Sequence, residues 1–380
     1  MDQAQMFSHA DTLAVLHENR PLSEKLEFVH DTINQRYHFV SRLAVAVYDP
    51  KTDLLKTFIH SSGGSEPLSH YHAKLSLAHS LNTIVKSGRP RVVNDLRIFA
   101  DSSQTHSQRI LSQGYAASYT MPMYHKGDFF GFVFFNADQP DVFDHEVLHY
   151  LDLFGHLLSL TVMQELSQYR TLQAAIRTAC ELTHHRDNET GSHLDRMSRY
   201  ARLIAQRLAP QYGFSDEYIE HIFMFSPLHD LGKIAIPDTI LFKPAKLDQE
   251  EFEVMKTHTS KGHEMIEGML NHFGVTKLQN SELLANIAHY HHEAVDGSGY
   301  PHGLKGDAIP IEARIIAVAD IFDALTSARP YKHAWNNAEA FSALDEMAGV
   351  TLDKDCVQAL LDGQSEVEEI QQQFAEDLLG

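Results

Sequence analysis

Cysteine is nearly absent from this sequence of 380 residues, which contains only Cys180 and Cys356. Two cysteines cannot make a disulfide framework or a cysteine-based zinc site. Long apolar runs are missing too, since none approaches the ~20 residues needed to cross a bilayer. The polar start from Met1 to Ala10 lacks an apolar signal core. We therefore expect a cytoplasmic protein.

Positive charge is also in short supply. The chain has 31 Lys and Arg against 51 Asp and Glu, a formal net charge of -20. We expect neither a nucleic-acid polymer nor an anionic membrane surface as its partner. An anionic small molecule is not excluded, because a metal ion or a few local cations can reverse the field inside one pocket.

The chain does have 43% hydrophobic residues, enough for a core in each of two or three domains. Residues 1–143 predict a mixed α/β domain, with β-prone runs at 43–48, 54–60, 118–125 and 129–136. The last two runs are separated by Lys126, Gly127 and Asp128, which predicts a hairpin. Residues 73–86 predict a helix that stops at Gly88 and Pro90.

Residues 144–186 contain no proline and a single glycine, Gly155. Apolar residues recur there every three, four or seven positions, which predicts one long amphipathic helix. Such a helix can pack only on its own domain, but we favour a connector that also pairs with a second copy. Helical patterns fill the rest, at 193–208, 216–231, 249–270, 281–292, 311–327, 338–348 and 353–361.

These patterns predict a multidomain chain. It would comprise an α+β domain at 1–143, a connecting helix at 144–186 and an all-α helical bundle at 187–380.

Potential metal ligands recur along the helical part. The histidine count of 26 does not locate a site, because half of the histidines precede residue 161. The groupings are Glu189 with His193, His229-Asp230 with Gly232 and Lys233, His258, His291-His292-Glu293, the DGSGYP segment 296–301, and Asp320 with Asp323. Imidazoles and carboxylates suit iron, manganese and zinc. Each grouping alone is weak, since a lone histidine on a helix is usually an ordinary core or surface residue.

The set as a whole resembles the HD-GYP family of metal-dependent phosphohydrolases. The motifs that carry the resemblance are HDLGK at 229–233, HHE at 291–293 followed by DGSGYP, and VADIFDALTS at 318–327. The similarity covers about residues 167–362. It implies a helical bundle that holds two or three iron or manganese ions and hydrolyses a cyclic dinucleotide. The usual substrate is cyclic di-GMP, which is opened to linear pGpG and in some members converted on to GMP.

The resemblance also implies roles for individual residues. The matching metal-ligand positions are Glu189, His193, His229, Asp230, His258, His291, His292 and Asp320. Glu189 corresponds to the ligand of a third metal, and Asp230 to a catalytic, bridging carboxylate. Lys233, Arg329 and Lys332 match positions that hold substrate phosphate, and Lys233 is counted as catalytic. Tyr300 either stacks on a base or packs in its loop, and Glu293 and Asp323 are expected to orient imidazoles.

The first domain is similar to a GAF sensor domain through residues 81–95 and 114–135, and the likeness covers about residues 20–165. Residues 1–165 contain no cysteine, which excludes thioether attachment of a bilin there. A cyclic nucleotide, a haem or no ligand remains open. Because the connecting helix leads almost directly into Glu189 and His193, we expect the first domain to regulate the enzyme. We also expect a homodimer formed through this domain and the connecting helix.

Three alternatives stand beside hydrolysis of cyclic di-GMP. A phosphodiesterase specific for 3′,3′-cyclic GMP-AMP would need the same ligands. A signalling module that binds a dinucleotide without turnover is disfavoured by the complete ligand set. A deoxynucleotide triphosphohydrolase is disfavoured by the Gly-Tyr-Pro segment 299–301.

Overall fold

A computed structural model describes residues 11–62, 72–99, 110, 112–182, 191–272, 281–327 and 334–375. The chain divides into two compact units, Met1–Leu166 and Ser167–Gly380. The boundary falls inside one long helix, His145–Leu182. Residues 183–186, the expected end of that helix, lie outside the described residues.

The first unit is built on a six-stranded antiparallel sheet with the order β3-β2-β1-β6-β5-β4. Its strands are β1 (Val40–Asp49), β2 (Leu54–Ser61), β3 (His72–Lys74), β4 (Arg91–Val93), β5 (Ala117–His125) and β6 (Asp128–Ala137). Lys126 and Gly127 join β5 to β6 with positive φ angles of 51° and 96°. Two consecutive positive φ angles are typical of a tight hairpin, so the predicted hairpin is confirmed.

The helices of this unit are α1 (Leu22–Asn34), α2 (His79–Ser87) and α3 (His145–Leu182). The prediction of a helix over residues 73–86 is wrong at its start. Ala73 lies opposite Leu55 in the β2–β3 ladder, so strand pairing overrides the local helical tendency there. The helix begins only at His79 and ends at Gly88, whose φ of 65° is the left-handed conformation that commonly closes helices.

Phenylalanines of β6 contribute to the core on both faces of the sheet. Phe132 and Phe134 pack with Ala44 and Ala46 of β1 in one cluster. Phe135, which points the other way, stacks on Tyr119 with ring centroids 5.7 Å apart. The expectation that this aromatic strand is buried is confirmed.

The described part of the second unit consists of helices joined by turns and loops, apart from an isolated bridge between Ala348 and Leu352. Its helices are α4 (Gly191–Tyr212), α5 (Asp216–Phe225), α6 (Asp238–Leu241), α7 (Gln249–Lys256), α8 (His258–His272), α9 (Ser281–Tyr290), α10 (Ile311–Thr326), α11 (Asn337–Met347), α12 (Lys354–Leu361) and α13 (Gln364–Gln373). Helix α4 is central and packs against α5, α10 and α12. The predicted fold class is therefore confirmed.

Two predicted helices of this unit are broken in the structure. The helix expected over 216–231 stops at Phe225 and continues as the 3-10 turn Ser226–Leu228. Pro227 explains the change, because proline lacks the backbone N–H that an α-helix needs. The helix expected over 249–270 is split at Thr257 into α7 and α8. Both breaks lie directly before expected metal ligands, His229 and His258.

His221 in α5 makes stability depend on pH. Its side chain is fully buried and stacks on Phe225, and burial lowers its pKa to about 3. In the unfolded chain His221 is therefore protonated below about pH 6.5, whereas in the folded chain it stays neutral down to about pH 3. The stabilising contribution of neutral His221 to the folded state is complete above pH 6.5. It is lost as the pH falls from 6.5 to about 3, by up to about 1.4 kcal/mol per pH unit.

We expect His221→Leu to flatten the acid dependence of the free energy of unfolding between pH 6.5 and pH 4. Urea titrations at several pH values measure it. His272→Leu, at an exposed histidine of α8, is the control. Equal slopes for the wild-type chain and His221→Leu would contradict the prediction.

None of the helices in the described segments combines the length and the hydropathy that a bilayer span requires.

Candidate metal centre

His229 and Asp230 lie between two 3-10 turns, Ser226–Leu228 and Leu231–Ala235. The sequence led us to expect the pair on one continuous helix, and that expectation is wrong. Asp230 has φ -97° and ψ 13°, outside helical geometry. The break turns the two neighbouring side chains toward the same space, with His229 Nε2 3.2 Å from Asp230 Oδ2.

Gly232 lets this loop approach α8 closely. A Cβ atom at Gly232 would lie 1.8 Å from the carbonyl oxygen of His258, so no other residue fits without moving backbone. The approach brings Asp230 and His258 together: His258 Nε2 lies 3.2 Å from Asp230 Oδ1. The glycine of the HDLGK motif is thus explained by packing.

Two groups of potential metal ligands result. Asp230, His258, His291 and His292 form the first group, and His193, His229 and Asp320 form the second. Within each group the ligand atoms lie within 4.8 Å of one another. The structure therefore brings together seven of the eight expected ligands. The eighth, Glu189, lies outside the described residues.

Asp230 stands between the groups. Its Oδ1 atom faces the first group, 3.2 Å from His258 Nε2 and 3.6 Å from His291 Nε2. Its Oδ2 atom faces His229 of the second group at 3.2 Å. One carboxylate can therefore offer one oxygen to each of two neighbouring cations.

Four imidazoles are oriented by hydrogen bonds at Nδ1. The acceptors are the carbonyls of Ser226 for His229 (2.9 Å), Met255 for His258 (2.8 Å) and Ile287 for His291 (3.0 Å), and the carboxylate of Asp323 for His193 (2.8 Å). A carbonyl oxygen only accepts, so Nδ1 carries the proton and a neutral ring presents the lone pair of Nε2 to the centre. This is the usual arrangement around metal-binding histidines.

The facing atoms fit a cation. His258 Nε2, His291 Nε2 and Asp230 Oδ1 are buried, and none of them makes a hydrogen bond with a described residue. The two Nε2 atoms are acceptors because the proton of each ring is on Nδ1, and the carboxylate oxygen is an acceptor as well. Acceptors 3.2–3.6 Å apart repel each other unless a positive charge lies between them. The buried polar atoms therefore fit metal ions better than they fit one another.

The protonation states agree with this reading. Burial lowers the pKa of His291, and burial together with His291 lowers the pKa of His292 well below its usual value. Burial opposes ionisation of Asp230, yet its pKa is held well below the usual range, and the largest lowering effect is the charge of Lys233. Neutral imidazoles and an ionised carboxylate are the forms that bind metals. The nitrogen and oxygen donors suit iron, manganese or zinc.

Two of the expected substrate-contacting residues, Lys233 and Tyr300, lie beside ligands of this centre. Lys233 places Nζ 2.7 Å from Asp230 Oδ2. The Tyr300 ring lies over His292 with centroids 4.8 Å apart, and burial raises the pKa of its hydroxyl. Arg329 and Lys332 lie outside the described residues.

Glu293 and Asp323 have different surroundings. Asp323 is fully buried and binds His193 Nδ1, as expected. Glu293 accepts the backbone N–H groups of His302 and Leu304 at 2.7 and 2.9 Å. Its hydrogen bonds thus support the loop that carries Tyr300, and they do not support the expected orientation of an imidazole.

Arg196 is a residue that the sequence reasoning missed. It donates to both oxygens of Asp323 at 2.7 and 2.9 Å. A signal was available, because Arg196 follows His193 by three residues and therefore shares its helical face.

The fold and the ligand geometry define a candidate metal centre in the helical unit. Residues 183–356 match the family model described as HD domain, which confirms for this segment the resemblance read from its motifs. The chain is 49% identical over 191 residues to the cyclic di-GMP phosphodiesterase response regulator RpfG of Xanthomonas campestris, covering 50% of this chain and 48% of that protein.

Two further relatives have related names. A cyclic di-GMP phosphodiesterase of Thermotoga maritima is 41% identical, covering 50% of this chain and 48% of that protein. The 3′3′-cGAMP-specific phosphodiesterase 2 of Vibrio cholerae is 41% identical, covering 47% of this chain and 32% of that protein. The chain thus spans about half the length, or less, of these relatives.

Among solved structures, the phycocyanobilin-bound GAF domain of a cyanobacterial phytochrome is similar at a TM-score of 0.33 and 12% identity, covering 41% of this chain and 96% of that one. The GAF domain of an Acinetobacter phosphoenolpyruvate-protein phosphotransferase is similar at a TM-score of 0.33 and 10% identity, covering 41% of this chain and 90% of that one. Scores this low support no argument about a ligand of the first unit.

Proposed function

We propose that this chain is a metal-dependent phosphodiesterase that hydrolyses cyclic di-GMP to linear pGpG, and the assay below decides between pGpG and GMP as the final product. The observation that carries the proposal is the position of Asp230, with one carboxylate oxygen toward each of two ligand groups. The names of the relatives support a cyclic dinucleotide as the substrate. Iron or manganese ions, two in the described ligand groups and a third if Glu189 also binds, are the proposed cofactors.

Each proposed role follows from a contact. The chemistry that metal ions supply when bound is a water whose pKa is lowered toward about 7, together with positive charge beside the phosphate oxygens. Asp230 and the imidazoles hold and orient these ions. Lys233 supplies a cation at the same edge, which lets an acidic chain accept an anionic phosphodiester. Glu293 secures the loop so that Tyr300 can face a base.

Arg329 and Lys332 are proposed as further phosphate contacts on the strength of the family motif alone. Arginine can bind phosphate oxygens through two N–H groups at once, which lysine cannot do. We therefore assign Arg329 a two-point contact that orients the phosphate, and Lys332 a single positive charge that attracts it.

A side-by-side assay tests the function and its main alternative. Purified full-length chain, loaded with Mn²⁺ or with Fe²⁺ under anaerobic conditions, is given cyclic di-GMP and 3′,3′-cyclic GMP-AMP in parallel, and products are separated by chromatography. We expect turnover of cyclic di-GMP that stops when a chelator removes the metal. Preference for the mixed dinucleotide would support the specificity seen in the name of the Vibrio relative. Binding of a dinucleotide without turnover by fully loaded protein would support a non-catalytic module.

We also propose a homodimer formed through the first unit and α3. Leu153 and Leu160 of α3 are 60% and 62% exposed, and they are seven residues apart with the half-buried Leu157 between them. Seven-residue spacing is the repeat by which two helices pair along an apolar seam. A second copy of the same helix therefore fits this stripe.

We expect the double variant Leu153→Lys, Leu160→Lys to be monomeric where the wild-type chain is a dimer. Burying a leucine contributes roughly 1.5–3 kcal/mol, so losing two per chain weakens the dimer by at least about 100-fold. Light scattering after gel filtration measures the mass. Leu77→Lys, at an exposed leucine outside α3, is the control. An unchanged dimer in the double variant would contradict the proposed interface.

Regulation by the first unit is part of the same proposal. Helix α3 ends at Leu182, and α4, which carries His193, begins at Gly191. The end of α3 is therefore close in sequence to His193, so a change in the pairing of α3 could alter the position of this proposed metal ligand. Unchanged kcat and KM in a monomeric double variant would argue against regulation by this route.

A further inference from the structure

A chain of hydrogen bonds leads from His193 away from the metal centre. His193 Nδ1 donates to Asp323 Oδ2 at 2.8 Å. Arg196 binds the same carboxylate with two nitrogens, Nε to Oδ1 at 2.7 Å and Nη2 to Oδ2 at 2.9 Å. Asp323 is fully buried and Arg196 is 5% exposed, so both lie in a low-dielectric environment where such bonds are strong.

The guanidinium of Arg196 also donates hydrogen bonds to two groups other than Asp323. Its Nη2 donates to Ser327 Oγ at 2.7 Å, and its Nη1 donates to the carbonyl oxygen of Phe374 at 3.0 Å. The Phe374 ring in turn lies 3.8 Å from the guanidinium carbon of Arg199. Phe374 directly follows α13, so the C-terminal segment closes over the arginines of α4.

We propose that Arg196 is a positioning residue for the metal ligand His193, with Phe374 as the outer anchor of the same network. Without Arg196 the carboxylate of Asp323 would accept through Oδ2 alone, from His193 Nδ1 and from Ser327 Oγ at 2.9 Å, and could turn about its terminal bond. The planar guanidinium binds both oxygens and fixes the plane of the carboxylate. A fixed Asp323 fixes the His193 ring, whose Nε2 lies 3.8 Å from Asp320 Oδ1. The inference rests on the proposed function, because it assumes that His193 binds metal.

Binding of Mn²⁺ to the full-length chain tests this assignment without substrate. Free Mn²⁺ is followed by electron paramagnetic resonance during titration. We expect Arg196→Met to weaken one of two Mn²⁺ sites by about 10–100-fold, the usual effect of losing a group that orients a ligand. Arg196→Lys should recover part of the loss. Phe374→Ala removes the ring that contacts Arg199 but keeps the carbonyl that accepts from Arg196, so it should weaken the site by less than about tenfold.

Arg207→Met is the matched control. Arg207 also lies on α4 and donates to Glu366 of α13 at 2.7 Å, and no bond joins it to Asp323 among the described contacts. We expect its Mn²⁺ affinity to equal that of the wild-type chain. Urea titration of each variant separates loss of metal affinity from loss of stability.

The outcomes separate this inference from the proposed function. Wild-type Mn²⁺ affinity in Arg196→Met, with only a lower free energy of unfolding, would overturn the positioning role. A wild-type chain that binds two Mn²⁺ ions but hydrolyses no cyclic dinucleotide would remove the proposed function. In that case the Mn²⁺ affinities of Arg196→Met and the wild-type chain would still show whether Arg196 positions His193.

Discussion

Asp230→Ala is expected to lower kcat/KM for the cyclic dinucleotide on the order of 1000-fold and to weaken metal binding at both ligand groups. Asp230 faces His258 and His291 with one oxygen and His229 with the other, so its removal affects both sites at once. Loss of a single preorganised charge or donor in an active site costs roughly 100–1000-fold, and Asp230 has two such roles. Steady-state kinetics and metal analysis of the purified variant measure the two effects.

The control is Asp345→Ala, which removes an exposed carboxylate of α11. It lowers the negative charge of the chain by the same amount and leaves the ligand groups untouched, so kinetics and metal content should stay as in the wild-type chain. Asp230→Ala protein with full metal content and normal turnover would show that neither ligand group is the active site.

The candidate ligands could be selected from the sequence because most of them lie in short, local motifs. Their division into two groups could not be predicted. His229 and Asp230 are adjacent in the chain, yet Asp230 groups with His258 whereas His229 groups with Asp320. A continuous helix would have turned the two side chains about 100° apart, whereas the non-helical backbone at Asp230 directs both into the space that the two groups share.

Two features that local sequence patterns do not predict depend on pairing between distant parts of the chain. Residues 73–78 carry a helical pattern, but Ala73 is held by Leu55 in the β2–β3 ladder. Gly232 likewise fits against His258 through a tertiary approach that no local window contains. The long helix α3, with an uninterrupted pattern and no proline, was predictable to within a few residues at its start.

Glu293 illustrates how proximity in sequence misleads about role. It follows His291 and His292 directly, which suggested that it orients an imidazole. The chain turns after α9, and the carboxylate instead accepts two N–H groups from residues nine and eleven positions later. A hydrogen bond contributes roughly 0.5–1.5 kcal/mol, so through these two bonds Glu293 stabilises the loop that presents Tyr300.

Lys233→Ala is expected to raise KM for the cyclic dinucleotide by roughly 10–100-fold while the metal content stays at the wild-type level. Hydrogen bonds to charged groups contribute about 1.5–3 kcal/mol, which corresponds to that range. In the structure Nζ of Lys233 lies 2.7 Å from Asp230 Oδ2, and the side chain is 21% exposed. It is therefore close enough to the centre to meet a phosphate and open enough to reach one.

The same contact allows a different role, in which Lys233 serves only as the counter-ion that keeps Asp230 ionised. Metal analysis separates the two. If Lys233→Ala loses metal in parallel with activity, the lysine supports Asp230 and its assignment as a phosphate contact is wrong. If metal is retained and KM alone rises, the ammonium group acts on the substrate. Lys243→Ala is the control, because Lys243 pairs with Glu251 and its loss removes one positive charge without touching Asp230.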